Sequence, residues 1–363
     1  MLFRSILKTF VASWFFGTYD MDQTYVVARV MEKGITTNIY SHFWLYNNPP
    51  TWAIVTYLVN QLSKITSIAF STLIKFPLII FDVLVALLLY KMVEKASKKE
   101  RFRVVASFLY NPITIMVSAY GAQFDIVAIY FLLLYCYIIK KNEKIVHQLI
   151  YGFSIAVKLV TIFPIIFFMS RQKGFKKILL PILAALPFIV IILPYIPNGW
   201  ENIKGRLLNY TGIWGFWGYS RPIQYLTTYF GLYDLQLILK FWLSKAMIIV
   251  MFGLMLYYFN KFKKISILEG VKISYLFFFV LSPGFGVQYI VWILPFAILQ
   301  KNHFYYVYSL FGSLVVFLFY YGHGISNLFI REVLTFSVVA PFMWIFCIYW
   351  FFRMHSEIKT RQT

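Results

Sequence analysis

Gly17-Thr18-Tyr19-Asp20-Met21-Asp22-Gln23-Thr24-Tyr25 stands directly behind a short apolar run, residues 3–16, and places two carboxylates there. The chain is otherwise poor in acids, with 13 Asp and Glu against 34 Lys and Arg in 363 residues. A second polar element, Tyr46-Asn47-Asn48-Pro49-Pro50, closes the same segment between apolar runs. Around these two elements the chain is 61% hydrophobic and 13% charged, with a mean hydropathy of +0.72. A soluble domain carries about 25% charged residues and roughly 45–50% apolar ones. The excess runs the whole length, and no polar block is long enough to be a soluble domain of its own. The expectation is an all-α, polytopic membrane protein forming a single integral domain over residues 1–363.

A formal net charge of +21 raises the question of nucleic acid, and the positions of the charges answer it. Lys91, Lys95, Lys98, Lys99, Arg101 and Arg103 share one short loop. Lys140, Lys141 and Lys144 share another, Arg171, Lys173, Lys176 and Lys177 a third, and Lys261, Lys263 and Lys264 a fourth. Basic loops between apolar spans follow the positive-inside rule and meet anionic headgroups; no nucleic-acid partner is expected. With the N-terminus inside, the spans read as 3–16, 73–91, 104–119, 122–138, 146–158, 159–170, 177–196, 236–259, 270–282, 288–300, 304–321 and 333–352. That is about twelve transmembrane helices, several too short for the roughly 17–25 residues of a full span and so read as broken ones. Residues 17–50 form a first external loop, 51–70 lie in the outer interface, and 197–235 form a long external amphipathic segment carrying Trp200, Trp214 and Trp217. The first run lacks a small-residue cleavage site and is interrupted by Lys8, so it reads as a retained span.

On this topology Asp20, Asp22, Glu32, Asp125, Glu201, Asp234 and Glu332 are external, while Glu94, Glu100, Glu143, Glu269 and Glu357 neighbour the internal basic clusters. Asp82 alone lies inside a span. It is either a functional carboxylate by default or a structural hydrogen-bond partner of a neighbouring helix. Four polar breaks gather on the external side: Asp20/Asp22, Asn47 to Pro50, Gly121-Ala122-Gln123-Phe124-Asp125, and Ser282-Pro283-Gly284 through Gln288 and Tyr289. Irregular backbone at such depth is tolerated where it packs in protein or lines a cavity, so the four breaks point to a shared water-facing cavity. Lys158 sits at an outer turn between two short runs, where it can reach an anionic group.

The chemistry available is narrow. There is no Gly-rich phosphate loop and no Gly-x-Ser-x-Gly elbow. His42, His147, His303, His323 and His355 are scattered without metal-ligand spacing, and Cys136 and Cys347 fall inside apolar runs as small buried hydrophobes. No divalent metal or other cofactor is implied. What remains is carboxylate chemistry, in which an Asp takes the proton of an attacking hydroxyl and a nearby Lys or Arg stabilises a leaving phosphate.

These residues, in this order, resemble the GT-C superfamily of multi-pass glycosyltransferases that use polyprenyl-phosphate sugars. The nearest branch is that of the mannosyltransferases of GPI-anchor and lipid-linked-oligosaccharide assembly. The resemblance runs from Asp20-Met21-Asp22 and Tyr25 through Gly34 and Tyr40 to Tyr46-Asn47-Asn48-Pro49-Pro50, where the family often has Asp-Tyr-Pro-Pro and this chain has Asn47. It continues through Lys75-Phe76-Pro77, Asp82 and Tyr90, then Tyr110-Asn111-Pro112, Ser118 and Gly121 to Asp125, Lys158 before Pro164, and Ser282-Pro283-Gly284 to Gln288, Tyr289, Trp292 and Pro295. It implies an inverting transfer of a hexose, mannose first, from a polyprenyl-phosphate sugar to a glycan or lipid-linked acceptor. Asp20 would be the catalytic base, with Asp22 assisting or binding acceptor. Lys158 and Arg221 would contact the donor's phosphate, and Asn47, Gln123, Asp125, Gln288 and Tyr289 would line the substrate pocket. The setting implied is a cell membrane with an external site, or an endoplasmic-reticulum membrane with a lumenal one. The alternative reading is a multi-pass transporter or a lipid or polysaccharide flippase, which would centre on Asp82.

Overall fold

The computed structural model describes residues 2–34, 38–210, 212–300, 303–321 and 333–362; Glu332 and His323 lie outside them. Every regular element among these residues is a helix, and no strand occurs. Five helices are long and apolar enough to cross a membrane: Phe70–Met92 (with a turn at its start), Lys176–Tyr195, Tyr233–Lys261, His303–Tyr321 and Ser337–Thr360. A sixth is available if the pair Lys98–Leu109 and Pro112–Tyr120, bent by 44°, counts as one span. The bend has a local cause. Pro112 has no N–H to donate to a continuing helix, and the Asn111 side chain restarts the chain by accepting from the Ile113 N–H at 3.0 Å. The protein is thus a helical membrane protein.

The remaining expected spans are shorter pieces: Leu2–Trp14, Asp125–Lys141, Gln148–Val157, Ile165–Ser170 after the 3₁₀ turn Leu159–Ile162, Ile267–Leu281, and Leu294–Ile298 after the 3₁₀ turn Val287–Ile293. At about 1.5 Å per residue the longest of these, with 17 residues, falls a little short of a hydrocarbon core about 30 Å thick. Hydropathy alone does not separate such pieces from full spans. Pro50–Thr66, read as interfacial, is a regular helix that buries Trp52, Ala53, Thr56 and Asn60.

The chain packs as two compact units, Met1–Ile162 with Ile178–Tyr210, and Phe163–Lys177 with Thr211–Thr363. The segment 197–235 is therefore divided: Trp200–Ile203 and Lys204–Leu208 belong to the first unit, Ser220–Tyr229 to the second. In the first unit α1 (Leu2–Trp14) packs on α2 (Lys75–Met92), which packs in turn on α3 (Lys98–Leu109) and α4 (Asp125–Lys141). A buried charge pair ties these helices. Lys8 on α1 donates to Asp82 on α2 at 2.7 Å and to the Thr114 hydroxyl at 3.1 Å. The second oxygen of Asp82 accepts from Ser118 at 3.3 Å. Both charges are fully buried, so each makes the other tolerable. Asp82, the one acid inside an expected span, thus has a partner 74 positions away.

The second unit is an aromatic-rich bundle built on Ile267–Leu281, which packs on Ala340–Thr360 and Tyr233–Lys261. The last carbonyls of a helix lack intrahelical donors; here indoles supply them. Trp217 Nε1 donates to the Phe279 carbonyl at 2.8 Å, and Trp344 Nε1 to that of Val280 at 3.0 Å. At the other end Ser266 and Glu269 form a capping box, and Arg361 holds Glu269 at 2.7 Å. Cys136 and Cys347 are both buried and unbridged.

Lys8→Met should destabilise the protein by about 3–5 kcal/mol, because it leaves Asp82 buried without its counter-charge. The double variant Lys8→Met/Asp82→Leu should regain most of that loss. Thermal unfolding of the purified protein in detergent, followed by intrinsic fluorescence, checks both; equal melting of Lys8→Met and wild type would contradict the pairing.

Candidate functional site

The first acid pair begins the helix Tyr19–Met31, one short turn after the end of α1. Gly17 makes the corner. Its φ of +120° suits glycine alone, and a Cβ there would lie 2.8 Å from the Tyr120 carbonyl. Lys75, buried at the start of α2, closes the end of α1 by donating to the Phe15 carbonyl at 2.5 Å and the Phe16 carbonyl at 3.0 Å. A cation on those carbonyls also matches the negative end of the helix dipole. Corner and cap together fix where Asp20 stands.

The Asp20 carboxylate accepts a hydrogen bond from Gln123 Nε2 at 2.7 Å. Gln123 is placed by a strained turn. The π-helix Ile115–Tyr120 ends at Gly121, and Ala122 takes the left-handed conformation at φ +53°. The Gln123 N–H then returns to the Val117 carbonyl at 2.9 Å, one residue further back than the 6→1 bond of a Schellman motif, as the wider π turn requires. A non-glycine residue held left-handed costs of order 1–3 kcal/mol and is found where the surroundings enforce it. Two residues on, Asp125 opens α4, fully buried, and accepts from Lys158 Nζ at 2.7 Å.

Lys158 follows the helix Gln148–Val157 in extended conformation, with φ −152° and ψ 116°. The freed carbonyls beyond it are caught by Tyr151, whose hydroxyl donates to Thr161 at 2.7 Å and to Ile162 at 3.2 Å. Thr51 donates to the Ala156 carbonyl at 2.5 Å and so ties the start of Pro50–Thr66 to this turn. Lys158 Nζ also lies 4.7 Å from the centre of the Phe124 ring, which stacks on Trp52 at 4.7 Å. Trp52 is nearly buried.

Asp20 is half-buried. Burial pushes its pKa above the usual carboxylate value; the Lys158 ammonium opposes this, Asp125 adds to it, and the Gln123 hydrogen bond opposes it. The outcome is a carboxylate more basic than a solvated one, still in reach of solvent. Asp22, on the same helix, is exposed.

The structure thus brings Asp20, Gln123, Asp125 and Lys158 into one cluster in the first unit. Asn47 belongs to the same unit and is a hydrogen-bond partner of Tyr210. The Asn47–Pro50 element is held from below by two tyrosines, Tyr40 donating to the Asn48 carbonyl and Tyr46 to that of Pro49, both at 2.7 Å. Arg221, Gln288 and Tyr289 belong to the second unit. There Arg221 Nη2 donates to Ser337 at 3.3 Å, and buried Tyr289 stacks between Trp292 at 4.2 Å and Phe285 at 5.9 Å. Trp52 and Lys8, the partner of Asp82, were not legible in the sequence. Lys75 entered only as part of the Lys75-Phe76-Pro77 stretch of the family resemblance, and Asp82 as a carboxylate either functional or hydrogen-bonded to a neighbouring helix.

Among the described residues no group of three His, Cys, Asp or Glu is placed to hold a metal ion. No protein-family model, curated protein or solved structure matches the chain.

Gly17→Ala should cost about 1–3 kcal/mol of stability, from positive-φ strain and the close approach of the Tyr120 carbonyl. A melting temperature unchanged from wild type would show that the corner is not fixed as described.

Proposed function

We propose that the protein is an inverting glycosyltransferase of GT-C type. It would move a hexose, mannose first, from a polyprenyl-phosphate sugar to a glycan or lipid-linked acceptor on the external or lumenal side of its membrane. The observation that carries this reading is the Asp20 cluster: a half-buried carboxylate of raised pKa, held by Gln123 at 2.7 Å and set in the first loop between apolar segments. A general base works best when its pKa approaches the working pH, and burial moves Asp20 in that direction. The fuller topology, with the shorter helices as broken spans and the basic clusters inside, belongs to the same proposal. A cell membrane is its preferred setting, and an endoplasmic-reticulum membrane with a lumenal site the other.

In the step proposed, the acceptor hydroxyl loses its proton to Asp20 while its oxygen bonds to the anomeric carbon. The bond from that carbon to the phosphate oxygen breaks, and its electron pair leaves with the polyprenyl phosphate. One displacement from the opposite face inverts the centre. Gln123 orients the carboxylate. The Lys158–Asp125 pair, neutral as a unit, adds a local cation without a free positive charge in a buried place.

One observation favours transport instead, the buried Lys8–Asp82 pair, since intramembrane charges mark ion and substrate paths. Thr114 and Ser118 engage that pair as well, which suits a fixed tie better than a moving carrier.

Transfer of radiolabelled sugar from polyprenyl-phosphate mannose and glucose, in membranes carrying equal amounts of wild type, Asp20→Asn and Asp22→Asn, tests the proposal. Asp20→Asn should lose roughly 10²–10⁴-fold in rate, the range for removal of a general base, while Asp22→Asn keeps most activity. If Asp22→Asn is the dead variant, the base moves to the exposed acid. Uptake into sealed vesicles with no transfer from any donor would replace the enzyme reading with the transport one.

A further inference from the structure

A leaving phosphate needs a cation, and outside its basic loops the first unit has most of its cations engaged. Lys158 is held by Asp125 at 2.7 Å, and Lys75 is engaged with the carbonyls that end α1. Lys64 and Arg29 flank Glu32 at 2.6 and 3.3 Å, and Lys204 lies 3.7 Å from Glu201. Arg206 differs. The residue is half-buried, yet its Nη1 is buried and hydrogen-bonds to no atom of the described chain. Buried polar groups in native proteins are satisfied as a rule, and an orphan calls for a missing water, ion or ligand.

The local backbone accounts for where Arg206 stands. Lys204–Leu208 winds as a π-helix, closed by the Asn209 N–H on the Lys204 carbonyl at 2.8 Å. Ile203 and Leu207 anchor this turn in a core shared with Ile39, Tyr40 and Tyr46. Tyr210 lies just past this turn, outside any helix. Tyr210 is hydrogen-bonded to Asn47, the residue after the core member Tyr46. Glu201, the nearest acid in sequence, is largely exposed and pairs with Lys204, so it does not occupy the guanidinium.

We propose that Arg206 forms an anion site on the first unit that takes the phosphate of a polyprenyl phosphate. A guanidinium offers a planar fork of N–H donors that matches phosphate oxygens. The identity of the lipid rests on the glycosyl-transfer reading; the anion site rests on the orphan guanidinium alone.

The test is equilibrium binding to the full-length protein in detergent, read by intrinsic fluorescence, with no sugar present. The probes are a polyprenyl monophosphate, the uncharged polyprenol, inorganic phosphate and phosphatidylglycerol. The proteins are wild type, Arg206→Gln, Arg206→Lys and, as a control, Lys33→Gln, an exposed lysine of the same unit. Arg206→Gln should weaken polyprenyl monophosphate binding roughly ten- to a hundred-fold, the range for a lost charge-assisted hydrogen bond. Arg206→Lys should recover part of it, Lys33→Gln should match wild type, and polyprenol should bind all four weakly and equally. Inorganic phosphate showing the same dependence on Arg206 supports the site and makes the anion itself the recognised group. Phosphatidylglycerol showing it equally well replaces the polyprenyl lipid with an ordinary anionic headgroup and overturns the assignment. Equal affinity of wild type and Arg206→Gln, with matching melting temperatures, overturns the site. Arg206-dependent binding without sugar transfer from any donor would leave the site standing and remove the glycosyltransferase reading. Normal transfer by Arg206→Gln would do the reverse.

Discussion

A charge inside a low-dielectric interior has to be paired or hydrogen-bonded, and the first unit is arranged around two buried pairs. Lys8–Asp82 and Lys158–Asp125 have the same 2.7 Å geometry and different surroundings. The first is shared with Thr114 and Ser118 and fully buried, so it fastens α1 to α2 and to the π-helical segment beyond α3. The second lies close enough to a third acid, half-buried Asp20, to act on its protonation. Removing either partner of a buried pair strands the other, which makes both pairs costly to disturb. The neighbouring carboxylate is what sets the second apart as a site.

The backbone gives way at the places where the cluster needs side chains. Gly17 turns at φ +120° just before Asp20, Ala122 at +53° just before Gln123, and Lys158 leaves its helix in extended form. Each break frees carbonyls that a membrane protein cannot leave bare. Lys75 takes those ending α1, the Gln123 N–H that of Val117, and Tyr151 those of Thr161 and Ile162. In the proposed transfer step these supporting groups touch no reacting atom. In that step they would hold the side chains that do.

Much of this was legible in the sequence, in uneven fashion. Apolar runs and basic loops gave a helical membrane protein, and the polar breaks brought forward Asp20, Gln123, Asp125 and Lys158, which the fold assembles. Lys8 read only as an interruption, because its partner is 74 residues away and pairing at that distance leaves no local pattern. Lys75 was hidden for the same reason. Where helices such as Asp125–Lys141 and Ile267–Leu281 are shorter than a full span, hydropathy did not tell a broken span from a complete one, since it reports apolar surface and not whether a helix completes its crossing. The division into two units was also unreadable: 197–235 has one composition throughout, yet its halves pack into different bundles.

If Asp20 is a base whose protonation its neighbours set, the pH dependence of kcat/KM for sugar transfer must carry their mark, in wild type and in Gln123→Leu. Burial raises the Asp20 pKa, so activity should be full at neutral pH and fall through an acid limb lying above the ordinary aspartate range. The Gln123 hydrogen bond favours the ionised form, so its loss should move the limb to still higher pH. A limb in Gln123→Leu that coincides with wild type, or one at the value of a solvated aspartate, would contradict the assignment.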